Sequence, residues 1–476
     1  MSEAGTDRGV RSGAFTVEQH GIDYIPPEDR HGRPLRLLTL WFAGNVQITT
    51  LATGALAVVL GLNIGWAIAA IVIGNLVGGL YMATHSIQGP RLGVPQMIQS
   101  RAQFGMYGAI LPLVIVVIMY LGFFVLSAVL GGQALASLLH VTVAEGIIIS
   151  SALVLVGTWF GHDLIHAYNR VMSVLSLIVF GAALIYLASH LPAHLPAASV
   201  NYGSVLLVIS IVVSWQLTWA PYVSDYSRYL PVDTPSPVTF WYTYIGSALG
   251  ASLVMIAGAL AAVTAYGPMT SDAPVYLAGL FPSVRWLFLL IIAGGVISIN
   301  LENLYGAFLT FFTGVSPSGT SSQGARSRVI TTTVLAALAT VVAILMSSNF
   351  STNLTNFIVF LLYLLIPWTA INLTDFYLVH HGHYDVREFF KVDGRWGRAN
   401  WPALIIFALT VVLELPFMDS TIYVGFIAKK MQGADLAWII GFVFAAVAYY
   451  VVATRGRQRI KVREELESLG VTTGLR

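Results

Sequence analysis

Long apolar runs alternate with short polar stretches along almost the whole chain, and the polar stretches decide how the runs divide. Runs long enough to cross a hydrocarbon core fall near residues 36–61, 64–86, 105–138, 144–160, 167–190 and 204–224. Six more fall near 238–266, 284–313, 328–347, 353–379, 401–418 and 434–454. The pattern predicts an all-α polytopic membrane protein with twelve transmembrane helices, numbered here as spans one to twelve. The 105–138 run exceeds what a perpendicular crossing needs, so it is expected to tilt strongly or to begin as an interfacial helix. Residues 1–33 read as a polar cytosolic tail without the apolar core of a cleavable signal. Residues 34–454 read as one transmembrane domain and 455–476 as a second cytosolic tail.

Composition agrees with that class. Of 476 residues 57% are hydrophobic and only 10% charged, against about 25% charged in soluble domains. There is no cysteine, which removes disulfides, thiolate nucleophiles and Cys-ligated metals. The formal charge of +2 names no partner and gives no reason to expect a nucleic acid. The placement of charge is more informative. With the N-terminus inside, the outer loops hold only Arg285, Lys429 and Lys430, leaving 21 of the 24 Lys and Arg inside. That asymmetry follows the positive-inside rule and puts both termini in the cytoplasm of a cell whose plasma membrane the chain crosses.

Two spans carry polar or helix-breaking interruptions. Span one contains Ala43, Gly44, Asn45, Val46, Gln47, Ile48, Thr49 and Thr50 inside an apolar run. Span six reads SWQLTWA (Ser214–Ala220) and then PYVSDYSRYLP (Pro221–Pro231). Pro221 has no backbone donor, so the helix is expected to break there and leave through a charged turn at Asp225 and Arg228. Irregular backbone at that depth needs protein or a water-lined cavity beside it. Interruptions five spans apart are a pointer to an inverted-repeat transporter with a midplane site; two kinked helices with packed amides fit the same spacing. Gly74 and Gly78 in span two, and Gly246 and Gly250 in span seven, fit small-xxx-small helix packing.

These residues bring in a resemblance. APYVSDYSRYLP (Ala220–Pro231) resembles the span-six exit of the nucleobase–cation symporter-1 family, in its purine–cytosine permease branch. LWFAGNVQITTLATG (Leu40–Gly54) is similar to that family's first span, and GPRLGVPQMIQSRAQFG (Gly89–Gly105) to its second-to-third loop. The stretch from Asp375 to Ala403 is similar to its tenth-to-eleventh loop. The resemblance covers nearly the full length. It implies a leucine-transporter-type 5+5 inverted repeat (about 36–190 and 204–379) plus two C-terminal helices (about 401–454). It also implies import of a nucleobase or related heterocycle driven by Na+ or H+.

Carried over residue by residue, the resemblance makes Trp219 the aromatic that stacks on the ligand; an indole face suits a heteroaromatic ring. Trp215 is expected to pack. Phe123 and Ser127 take the span-three positions, Ser127 standing where relatives have an amide with both donor and acceptor. In span eight Asn300 and Asn303 share one helical face and can read a nucleobase edge. Family asparagines there are four apart, so one of these is out of step. Gln47 is a further substrate candidate. Glu302 is a mid-span carboxylate, by default a functional group, as proton carrier, acceptor for a substrate amine, or partner of a polar neighbour. The sodium-site positions become Ala43, Val46, Gly295, Ser298 and Ile299, but Ile299 brings no hydroxyl, so proton coupling is as good an expectation as sodium. Asp225 and Arg228 read as structural or gate contacts, His380, His381 and His383 as a loop cluster rather than a zinc site, and Glu414 as a packing feature.

The leading reading is secondary active nucleobase uptake. Its rival keeps the architecture with an allantoin-, pyridoxine- or thiamine-like cargo or an amine. A membrane-embedded enzyme is disfavoured by the lack of HExxH, cysteine or paired acidic motifs, and a channel by the lack of a filter sequence.

Overall fold

The structure, a computed structural model, describes residues 23–160, 162–192, 200–315 and 325–471. Among these, all twelve expected spans are helices. Span one is Leu35–Gly44 with Ile48–Val59, span two Ile64–Ser86, span three Ile110–Leu139 and span four Val143–Phe160. Span five is His162–Ser189, span six Tyr202–Leu217 with Ala220–Ser227, span seven Ser236–Thr264 and span eight Arg285–Val315. Spans nine to twelve are Ala325–Met346, Phe350–Thr374, Trp401–Glu414 and Ala437–Ala453. By length and apolarity alone seven helical stretches qualify as membrane-crossing, one of them (326–379) holding spans nine and ten; span one qualifies as a bent pair. Spans four, eleven and twelve are the shorter apolar helices. Span three starts at Ile110, after a turn through Gly105 rather than an interfacial helix.

Span one is broken, and its two halves meet at 63°. Side-chain amides replace the backbone donors that the last turn lacks. Asn45 Nδ2 donates to Trp41 O at 2.8 Å, and Gln47 Nε2 donates to Gly44 O at 3.0 Å. Gln47 itself is extended (φ −147°, ψ 161°) and starts the second half.

Span six departs from expectation. Its interruption lies at Thr218 and Trp219, before Pro221, and the helix stays one span across Tyr202–Ser227. Thr218 N–H still reaches Ser214 O at 2.9 Å, while Trp219 N–H shortens its reach to Gln216 O at 3.3 Å. Pro221 sits in the first turn of the second half, where a backbone N–H has no helical partner to lose. The proline therefore begins a helix instead of ending one. Asp225, Tyr226 and Ser227 lie within that helix, not in a turn.

The glycines read as packing residues do close contacts. A Cβ on Gly74 or Gly78 would fall 2.6 Å from Val212 or 2.7 Å from Gln216 of span six. One on Gly246 or Gly250 would fall 2.5–2.6 Å from the carbonyls of Leu38 and Phe42 in span one. Two short helices, Gln88–Leu92 and Gln96–Phe104, follow span two and are mostly buried. They turn at Gly93 (φ +65°), where any Cβ would strike the Arg30 guanidinium.

Candidate functional site

The break in span one and the nick in span six face each other. Trp219, only 5% exposed, lays its benzo edge over Gly44, whose Cβ would be 3.7 Å from the indole. Trp41 meets Trp219 edge-on at 5.7 Å, and Tyr222 meets it at 5.7 Å. The Nε1 atoms of both tryptophans are buried without a hydrogen-bond partner among the described residues, which leaves two donors beside the gap. Trp215 behaves differently: its Nε1 donates to Asn45 Oδ1 at 2.8 Å, tying span six to the break. Asn45 Nδ2 in turn reaches Ser247 of span seven at 3.1 Å.

Span three closes the other side. Phe123, half-buried, packs edge-on to Trp215 at 5.6 Å and Phe357 at 5.4 Å. Ser127 shares a 3.0 Å hydroxyl contact with Thr49, at the start of span one's second half. Asn303 Nδ2 donates to Asn300 Oδ1 at 3.0 Å, and Asn300 Nδ2 donates to Phe124 O at 3.1 Å. Gln47 is half-buried and spends its amide on Gly44 O. Gln47, Phe123, Ser127, Asn300, Asn303 and Trp219 thus lie on the elements that bound one central region.

Glu302 stands apart. Two residues from Asn300, it points to another helical face, where Asn169 of span five donates to its carboxyl. Asn169 also accepts from Ser298 Oγ at 2.5 Å. On the same face Tyr168 OH donates to Gly294 O at 3.1 Å, and Gly295 faces Ser176. Of the three roles expected for Glu302, the contact with Asn169 is that of partner to a polar neighbour, on a face other than that of the bonded pair Asn300 and Asn303. Of the sodium-site set, Ala43 O accepts from Val46 N–H at 3.0 Å, the Ser298 hydroxyl is committed to Asn169, and Ile299 offers a carbonyl alone.

Other candidates fall outside this region. Asp225 Oδ1 accepts from Gln96 N–H at 2.8 Å, and Arg228 donates to Asp23 O at 3.0 Å; both are structural ties. His380 is not a solvated loop residue but 2% exposed, between Asp375 and Glu465. Burial alone would lower its pKa, yet the Asp375 carboxylate with that of Glu465 outweighs this and holds it up at about 10. Glu414 is fully buried against Gly441. Sequence reasoning passed over Trp41 and Tyr222; Trp41 sits one turn before Gly44 and Asn45, and that spacing was the available signal.

A family profile described as "Permease for cytosine/purines, uracil, thiamine, allantoin" matches residues 24–441. The chain belongs to this family. The permease is 44% identical to the "Putative purine-cytosine permease YxlA" of Bacillus subtilis, over 95% of its own length and 100% of that protein's. It is 28% identical to purine-cytosine permease fcyB of Emericella nidulans over 91% of its own length and 88% of the relative's. It is 27% identical to the yeast vitamin B6 transporter TPN1 over 62% of this chain and 55% of that one. Among solved structures it is similar to inward-facing Mhp1, with TM-score 0.72, 16% identity, and coverage of 95% and 98% of the two chains. Mhp1 closed on bromovinylhydantoin gives TM-score 0.70 at 17% identity, with coverage of 95% and 100%. This structural likeness establishes the shared fold; the family match and the relatives make the chain a multi-pass membrane transporter and not an enzyme.

Proposed function

We propose that this permease imports a nucleobase, cytosine or a purine, across the plasma membrane together with a cation, with both termini cytoplasmic. The observation that carries the reading is the buried Trp219 indole lying over Gly44 at the break of span one. A planar heterocycle entering between spans one, three, six and eight would stack on Trp219. Its edge would meet Gln47, Ser127, Asn300 and Asn303, with Phe123 as a second apolar wall. Alternating access would follow from rocking the elements around this fixed site. The charge asymmetry of the loops supports the orientation.

For the coupling ion we favour H+ over Na+. In span eight position 299 has no hydroxyl, which leaves one oxygen fewer for Na+, a cation that prefers several. A vitamin B6-like cargo is the second reading, favoured by the TPN1 likeness.

Uptake of radiolabelled cytosine, adenine and hypoxanthine into proteoliposomes, under imposed pH or Na+ gradients and competed by pyridoxine and allantoin, tests all three points. Accumulation driven by an inward pH gradient and competed by nucleobases is expected. Competition by pyridoxine alone, or dependence on Na+, overturns the cargo or the ion respectively.

A further inference from the structure

At the end of the bundle where the described chain begins at Asp23 and ends at Val471, a run of buried polar groups connects the C-terminal helix to span six. That helix, Gly456–Ser468, is polar on average, but Val462, Glu465 and Leu466 are buried together. Their i, i+3, i+4 spacing makes one seated face. Glu465 Oε2 lies 3.5 Å from His380 Nε2, and His380 Nδ1 lies 3.1 Å from Asp375 Oδ1. Asp375 also accepts from Tyr384, Tyr449 and Gln103, each at 2.8 Å.

From Asp375 the run continues through amides alone. Asn372 donates to Gln103 at 3.3 Å, Gln88 to Asn372 at 2.7 Å, and Gln96 to Gln88 at 2.9 Å. It ends on span six, where Ser224 Oγ donates to Gln96 Oε1 at 2.5 Å and Gln96 N–H donates to Asp225. Each amide has its acceptor and donor both used, so its orientation is fixed by its neighbours, and no link can turn without turning the next. The run crosses the tenth span, the short helices after span two, and the helix that begins one residue after Trp219.

We propose that Asp375, Asn372, Gln88 and Gln96 are positioning residues through which the seated C-terminal helix sets the arrangement of the Ala220–Ser227 half of span six. Glu465 is the contact that the tail contributes. Undocking the tail frees His380 and Asp375 to reorient, and the amide run passes that freedom to Asp225 and Ser224. The consequence for transport rests on the import reading above.

Two readouts keep the two readings distinguishable. The first is hydrogen exchange of amides 88–104 in the purified full chain without any substrate. Glu465→Gln, which keeps shape and removes charge, is expected to raise exchange there, and Asn372→Ala to do so whether or not Glu465 is altered. The second is the initial rate of nucleobase uptake, expected to change roughly two- to thirtyfold in Glu465→Gln, with no further change when Asn372→Ala is already present. Deletion of residues 456–471 repeats the test should Glu465→Gln misfold, since it leaves no tail carboxylate buried without a partner. Unchanged exchange at 88–104, or effects of the two substitutions that multiply independently, overturns the proposal. Altered exchange in the variants together with no nucleobase uptake by the wild-type protein sinks the import reading and leaves the positioning one standing.

Discussion

Trp219→Ala removes the indole from over Gly44 while leaving both half-helices of span six intact. Stacking on a base contributes about 1–3 kcal/mol by alanine substitution, so the variant should reach the membrane yet lose roughly five- to a hundredfold in apparent affinity. Trp219→Phe should recover part of that. Binding titrations on monodisperse protein read both, and unchanged affinity in the alanine variant removes Trp219 from the site. Glu302→Gln separates ion from cargo: gradient-driven accumulation should fall to background while exchange of labelled for unlabelled substrate persists. Equal loss of both would make Glu302 a structural partner of Asn169. At this scale the sequence was legible for residues whose neighbours lie on their own helix. Asn300 and Asn303 were read as one face, and they do bond to each other. For Glu302 three roles stayed open, because its partner Asn169 lies 133 residues away and no local pattern records that.

Between elements the same contrast holds. All twelve spans were legible, because a run of apolar residues must satisfy its own backbone and has one way to do so. Close helix approaches at Gly74, Gly78, Gly246 and Gly250 were legible too, since a four-residue spacing of small residues has few other uses. The break in span six was misread by two residues: a proline fits either end of a helix, and Pro221 takes the first turn of the half that follows the interruption at Thr218 and Trp219. Two substitutions follow from that correction. Pro221→Ala should change stability by under about 1 kcal/mol, because a first-turn proline gives up no hydrogen bond. Asn45→Ala should cost about 1–3 kcal/mol, because it strands the buried Trp215 Nε1 and uncaps Trp41 O. Thermal melting in detergent ranks the pair, and a larger loss at Pro221 would restore the break to the proline. Gly250→Val, forced into the Phe42 carbonyl, should exceed about 1–3 kcal/mol of overpacking and appear as lost monodispersity.

Across the whole molecule, the terminal face is held by ionisable groups as well as by apolar packing, so its stability should depend on pH. His380 faces Asp375 just past the end of span ten, Glu465 on the C-terminal helix and Tyr384 from its own loop, stacked at 4.6 Å. Its folded pKa stands near 10 against an ordinary 6.5, so the folded chain holds this proton more tightly than the unfolded chain does. The contribution is therefore complete below about pH 6.5 and declines as pH rises through about 10. Melting temperatures of the full chain in detergent should fall across that window more steeply than in His380→Gln, where the glutamine amide can still donate to one carboxylate but has no proton to lose. Deleting residues 456–471 removes Glu465 while keeping Asp375, so it should lower the upper edge of the window without abolishing the slope. Parallel melting curves for wild type and His380→Gln from pH 6 to 10 would mean that the imidazole is neutral in the fold, and that apolar seating by Val462 and Leu466 alone holds the tail.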